Sequence, residues 1–309
     1  MVTLEIKNNI AWVTLNRPEK QNALHLAMFH ELDKIIKTLR KNTQIRAVIV
    51  SGAGEHFCSG LDVKSIVKKP LAIFQLLFKW LPGNPNLVQR VTLAWKTLPV
   101  PVIAVINGHC FGAGLHIAIG ADYRIATADA KLAIMESKWG LCPDMGTGVL
   151  LPALIPQDKL WLLTSQGTPI NADTAKEYGL ISDVHTDTNH AVQSLLDTLL
   201  TRSPDALAAI KRVNNRAYSA NRRQVLWQET WCQIRLLLNK NTRVAMHNAL
   251  AEQAKTEQFP TRANILSVTS GPILELCPAA KRTTPVMRLP WRVPSELTGM
   301  FCGNQSMPR

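Results

Sequence analysis

The chain has 309 residues, 46% of them hydrophobic, enough for one large domain with a real core or for a domain plus an extension. Charged residues are 18% and aromatics 6%, the composition of an ordinary globular protein. The formal charge of +13, from 35 Lys+Arg against 22 Asp+Glu, favours anionic partners such as nucleic acid, acidic lipid or a polyphosphate ligand. The positive residues are scattered, and Lys34, Lys37, Arg40 and Lys41 read as the solvated face of one helix.

Cys58, Cys110, Cys142, Cys232, Cys277 and Cys302 form no C-x-x-C pair, so neither a zinc site nor a disulfide framework is expected, and a reducing, cytoplasmic compartment fits. The start, Met1-Val2-Thr3-Leu4-Glu5, lacks the basic and apolar regions of a signal peptide. No uncharged apolar run reaches transmembrane length, so a soluble protein without a membrane partner is expected.

In chain order, residues 2–7 and 10–15 alternate apolar and polar around Asn8-Asn9, which predicts a β-hairpin. Met28, Phe29, Leu32, Ile35, Ile36 and Leu39 follow helical spacing and predict an amphipathic helix over 25–41. Ala47 to Val50 reads as a buried strand. Residues 62–98 read as helices broken by Leu81-Pro82-Gly83-Asn84-Pro85. A core strand is expected at 102–106, then a Gly-rich turn, a short apolar helix and a strand over 122–126. Past residue 155 helices are expected at 157–165, 172–178, 190–201, 204–218 and about 221–254. The pattern is α/β with crossover helices, followed by a helical C-terminal part. The expected division is a core over 1–200, a helical part over 201–263 and an extension over 264–309. That extension is rich in Pro, Ser and Thr without a sustained period, and reads as poorly ordered.

Two segments carry candidate chemistry. Phe57-Cys58-Ser59-Gly60-Leu61-Asp62-Val63-Lys64 follows a core strand and opens a helix. Gly60 permits a turn that other residues resist, and Asp62 suits a helix cap. The N–H of Leu61 would then face the space above the strand end, where it favours an oxyanion. A plain capped turn explains the same residues. Asn107-Gly108-His109-Cys110-Phe111-Gly112-Ala113-Gly114-Leu115-His116 also links a core strand to a helix, and would present the N–H of Ala113 in the same way. Close helix packing explains its glycines as well. The spacing is that of neither a dinucleotide fingerprint nor a P-loop.

Together, F-C-S-G-L-D followed about 50 residues later by N-G-H-C-F-G-A-G resembles the paired signature of the crotonase (enoyl-CoA hydratase/isomerase) family. L-N-R-P-E-K-Q-N-A-L at 15–24 and M-E-S-K-W-G-L-C-P-D-M-G at 135–146 are similar to it too. The resemblance covers about residues 1–263. It implies an α/β fold of the crotonase-like (ClpP/crotonase) type, a spiral of ββα units with a helical C-terminal part.

The resemblance also implies an acyl-CoA thioester as substrate, its carbonyl oxygen held between the N–H groups of Leu61 and Ala113. Two preorganised donors are worth on the order of 3 kcal/mol each to an enolate. Ser59, Gly60, Leu61, Asp62, Val63, Lys64, Gly112 and Ala113 would line the CoA. Lys64 would suit a phosphate or the adenine region, or simply be a solvated lysine. No metal or redox cofactor is implied, CoA being part of the substrate. Family members usually form trimers, often paired into hexamers, with the C-terminal helices between subunits.

Family hydratases use two glutamates, one three residues after the second donor and one on the next loop, four residues before a glycine. Glu136, four before Gly140, matches the second; its expected neighbours are Met135 and Trp139. His116 stands in place of the first. It is either an acid/base group or a core histidine with satisfied hydrogen bonds. Asp144, eight residues after Glu136, lies where dienoyl-CoA isomerases of the family carry an acidic residue, and is otherwise a turn residue. Asp122, Tyr123 and Arg124 read as structural. Leu71 to Leu81 is either the wall of an acyl pocket or an ordinary core helix.

The expected function is hydration or double-bond isomerisation of an unsaturated acyl-CoA, with Glu136 as the main proton-transfer residue, assisted by Asp144 and His116. Loss of the first glutamate leaves a non-catalytic acyl-CoA binder as the alternative. An RNA-binding branch of the family and the net charge raise a third reading, but no RNP-like motif or aromatic platform supports nucleic acid as a partner.

Overall fold

The computed structural model of the protein describes residues 1–66, 69–81, 83–250 and 256–263. The extension expected at 264–309 lies outside the described residues.

Strands β1 (Val2–Lys7) and β2 (Ile10–Leu15) form the expected hairpin, antiparallel from Val2 opposite Leu15 to Lys7 opposite Ile10. Asn8 and Asn9 take φ of 50° and 63°, the left-handed pair that a two-residue hairpin turn requires. β2 then pairs in parallel with β3 (Ala47–Gly52), which pairs in parallel with β4 (Val102–Ile106). Helix α1 (Leu26–Lys41) makes the first crossover. The second contains α2 (Val63–Ile66), α3 (Pro70–Leu77) and α4 (Leu87–Thr97). Asn86 and Gln89 start α4 with a reciprocal capping box.

After β4 come β5 (His109–Phe111), α5 (Ala113–Ile119), β6 (Tyr123–Ala126) and β7 (Lys131–Ala133). Then follow α6 (Thr147–Leu150), α7 (Gln157–Gln166), β8 (Ile170–Asn171), α8 (Ala172–Glu177), β9 (Asp183–Val184) and α9 (Thr188–Leu200). The main sheet has the order β1-β2-β3-β4-β6-β9, parallel except for the hairpin. A second sheet, β5-β7-β8, was not expected; its two- and three-residue strands carry no readable period.

Both faces of the main sheet are covered, as parallel sheets require. Val13, Leu15, Val48, Val50, Ala104 and Ile106 join the core built with α1, α4 and α5, including Phe29, Leu32, Val91 and Trp95. The alternate residues Ala47, Ile49, Ile103 and Ile125 pack with Val192 and Leu196 of α9. Each fully buried large apolar side chain contributes about 1.5–3 kcal/mol of transfer free energy.

Two expectations need correction, and one of two open alternatives closes. The strand expected over 122–126 begins at Tyr123, because the Asp122 carboxylate turns aside to accept the N–H of Val102 at 2.9 Å and to pair with buried Lys211 at 2.6 Å. The helix expected over about 221–254 is two, α11 (Arg222–Leu237) and α12 (Lys240–Leu250), which follow α10 (Pro204–Ala217). At that break the Asn239 side chain accepts the N–H of Asn241 and starts a new helix. Finally, α3 is not an ordinary core helix: only Ala72 and Leu76 are buried, while Leu71, Phe74 and Leu77 are exposed. Among the described residues, no helix is long and apolar enough to cross a membrane.

Candidate active site

The two turns singled out in the sequence are held side by side. Cys58 donates its N–H to the carbonyl of His109 and accepts from the N–H of Phe111, both at 2.9 Å. Phe57 donates to Asn107 at 2.8 Å. The segment after β3 is thereby zipped to the segment after β4. A third strand of chain joins from the other side: Leu24 donates to the carbonyl of Gly60 at 2.8 Å and accepts from Asp62 at 2.9 Å.

This bonding skips Leu61, whose N–H has no acceptor among the described residues. The N–H of Ala113, first residue of α5, is likewise without one. Gly60 and Gly112 create the two turns with φ of +102° and +46°, a region that L side chains rarely adopt. The turns are in contact: a β-carbon added at Gly112 would stand 4.0 Å from Gly60 Cα, and one added at Gly60 would stand 3.9 Å from the Ala113 nitrogen. Two free backbone donors therefore lie on adjoining turns at the strand ends, where they can stabilise developing negative charge on an oxygen.

Asp62 caps α2 as expected, accepting from Ser65 N–H at 3.1 Å, and its carboxylate pairs with Arg17 Nη1 at 2.8 Å. That hydrogen bond from Arg17 is the main cause holding the Asp62 carboxyl below the usual range. A surface depression of about 470 Å³ beside it is lined by Lys20, Ala23, Asp62, Lys64 and Ser65. Lys64 thus has a cationic neighbour in Lys20, to which the sequence reading gave no role although it lies in the E-K-Q-N-A-L motif. Ser59 and Val63 flank the same turn, half-buried.

Glu136 opens a short 3-10 turn, Glu136–Trp139, closed by Gly140. Its carboxylate lies over the second turn: a β-carbon at Gly112 would meet Glu136 Oε1 at 3.7 Å. The same oxygen is 3.6 Å from His116 Nδ1. The other oxygen, Oε2, is buried with no hydrogen-bond partner among the described residues. Trp139, expected as a sheltering neighbour, is 64% exposed. The charged or titratable neighbour that the carboxylate does have is His116.

His116 is fully enclosed. Its Nδ1 lies 2.7 Å from the carbonyl oxygen of Gly112 and its Nε2 lies 2.5 Å from the hydroxyl of Thr147. Burial pushes its pKa below the usual histidine value, against the opposing pull of Glu136, the Gly112 hydrogen bond and Asp144. The structure thus brings Glu136 and His116 together. Asp144 sits on the loop before α6 with its side chain exposed and its carbonyl held by Gln89 Nε2 at 3.0 Å. Among the described residues, no group of His, Cys, Asp and Glu could hold a metal ion. Asp122 and Arg124 are structural: Arg124 donates to the carbonyls of Leu180 and Ala121.

A family model described as enoyl-CoA hydratase/isomerase matches residues 5–258. The chain is 37% identical over 184 residues to (E)-benzylidenesuccinyl-CoA hydratase of Thauera aromatica, covering 59% of this chain and 69% of that protein. It is 33% identical over 213 residues to the mitochondrial Delta(3,5)-Delta(2,4)-dienoyl-CoA isomerase of Mus musculus, covering 66% and 65%. Its fold matches the crystal structure of enoyl-CoA hydratase from Thermoplasma volcanium with a TM-score of 0.72 at 26% identity, over 81% of this chain and 97% of that one.

Proposed function

The chain belongs to the enoyl-CoA hydratase/isomerase family, an enzyme of hydratase or isomerase type, and from that premise we propose how its residues act on an unsaturated acyl-CoA. The thioester carbonyl oxygen sits between the N–H groups of Leu61 and Ala113. When water adds to the β-carbon, or a proton leaves the γ- or α-carbon, electron density moves onto that oxygen. Both donors stabilise it without reorganising. The Glu136 carboxylate takes a proton from water or carbon and returns one to carbon. Asp144 assists the proton transfer from the loop before α6, and His116 supports the site from α5 without touching the substrate.

The single observation that carries this reading is Glu136 Oε2: a buried carboxylate oxygen with no partner among the described residues, next to two backbone N–H groups that also lack one. A buried acceptor without a partner is costly unless a ligand serves it. Lys20 and Lys64 around the depression beside Asp62 supply positive charge for CoA phosphates, and Ser59 to Lys64 with Gly112 and Ala113 line the bound thioester. The exposed apolar face of α3, with Leu71, Phe74 and Leu77, supports an acyl wall there. CoA is part of the substrate, and the scheme needs no further cofactor.

Exposed Leu226, Trp227, Ile234 and Leu237 on α11 support a homotrimer or a hexamer built on the C-terminal helices; a stable monomer in gel filtration would contradict it. The cysteine usage supports a cytoplasmic setting. The test of the reaction is a screen of short, long and aromatic enoyl-CoA thioesters with product regiochemistry determined. Water addition or double-bond migration in at least one supports the proposal. Absence of both across the set would overturn it.

A further inference from the structure

Resting on that reading, we propose that His116 is a positioning residue: it holds the Gly112–Ala113 peptide so that the Ala113 N–H meets the thioester oxygen, and it does not itself exchange protons with the substrate. The carbonyl of Gly112 and the N–H of Ala113 are the two ends of one planar peptide unit. A hydrogen bond received at the oxygen polarises the unit and strengthens the N–H as a donor. Gly112 O receives two, from the His116 backbone N–H at 3.0 Å and from the ring Nδ1 at 2.7 Å.

The bonding also fixes the ring's protonation. A carbonyl can only accept, so Nδ1 carries the hydrogen. In the neutral ring Nε2 is then an acceptor, and the Thr147 hydroxyl donates to it. Burial favours that neutral form, and Glu136 and Asp144 are the charged groups that act on the ring. Both ring nitrogens are engaged and the ring has no exposed surface, so none of it is left to touch a substrate.

The peptide needs such a hold. Gly112 has φ of 46° and ψ of −119°, a conformation open to glycine but only one of many that glycine can take, so the hold on its carbonyl selects it. Glu136 Oε1 lies 3.6 Å from the same Nδ1. One ring N–H therefore faces both the peptide that bears a donor and the carboxylate that moves the proton.

The test compares His116→Asn, whose amide can reach Gly112 O as Nδ1 does, with His116→Gln, whose amide reaches toward Thr147 instead. The readouts are the carbonyl stretch of a bound 13C-carbonyl 2-enoyl-CoA in infrared difference spectra, kcat, KM and the pH profile. His116→Gln is expected to lose most of the carbonyl shift and to lower kcat roughly tenfold, with KM little changed. His116→Asn is expected to keep most of both, and both variants to keep every limb of the pH profile. A wild-type carbonyl shift in His116→Gln would overturn the proposal, as would loss of a pH limb in both variants. If His116→Gln does not fold, Thr147→Val carries the test: without its hydroxyl the ring loses its anchor at Nε2 and its aim at Gly112 O, and a partial loss of the shift is expected, an unchanged shift overturning the idea. A wild-type protein that leaves the carbonyl unshifted would defeat the acyl-CoA reading itself, a distinct result.

Discussion

Gly114 lies so close to Cys58 that a β-carbon at position 114 would stand 2.5 Å from the Cys58 β-carbon and 2.9 Å from its carbonyl oxygen. This contact presses the start of α5 onto the first turn, and with it the Ala113 N–H toward the Leu61 N–H. Cys58 in turn donates its thiol to the Asn22 carbonyl at 3.1 Å, and burial pushes that thiol's pKa up to about 12, so it remains a neutral packing group. Gly114→Ala must therefore separate the two turns. It should destabilise the fold by about 1–3 kcal/mol, as overpacking does, and lower kcat at temperatures where the protein stays folded. Urea unfolding together with kinetics at low temperature checks both; wild-type kcat in a folded Gly114→Ala protein would show that the spacing of the turns does not matter.

Glu136→Gln keeps the side-chain volume and removes the proton acceptor. Turnover should fall by roughly 10²–10⁴, the usual contribution of one general acid/base, with KM and the melting temperature little changed. Unchanged turnover in this variant would remove Glu136 from the mechanism.

Lys20 and Lys64 share the rim of one depression. Replacing each by Glu puts negative charge where CoA phosphates are proposed to bind. The double variant should raise KM for the thioester by about tenfold at low salt, leave kcat nearly unchanged, and show a smaller penalty as ionic strength rises. Titrating KM against salt reads this directly, and an unaltered KM would place the phosphates elsewhere.

The Arg17–Asp62 pair gives the first turn a pH dependence. Its hydrogen bond lowers the carboxyl pKa in the folded state, so its stabilisation is complete above the unfolded carboxylate range and is lost as pH falls through the folded value. Asp62→Asn should cost about 1 kcal/mol near neutrality. The difference from wild type should close as acid protonates Asp62. Denaturation curves of both proteins over an acid series would show the convergence; a constant gap would assign the pair no linkage.

The hairpin, α1 and the strands at 47–52 and 102–106 were legible because alternation, helical spacing and the Asn8-Asn9 turn all point the same way. The small sheet was not, since His109–Phe111 and Lys131–Ala133 are strands only because Cys110 and Leu132 find each other across the chain. The turns at Gly60 and Gly112 were visible as glycine patterns. Their contact was not, because it depends on backbone pairing between segments far apart in sequence. His116 shows the limit most clearly. Its spacing from Ala113 marked it as a candidate, yet its partners, Gly112 O and Thr147, are set by packing of α5 against the loop into α6.

The most direct test of enolate stabilisation by the Leu61 and Ala113 donors beside Glu136 uses a saturated acyl-CoA in deuterated water. Proton exchange at the α-carbon, followed by NMR or mass spectrometry, should proceed with the wild-type protein and nearly stop with Glu136→Gln. Tight binding of the thioester by the wild-type protein without any exchange would contradict it, and would leave the chain a binder of acyl-CoA.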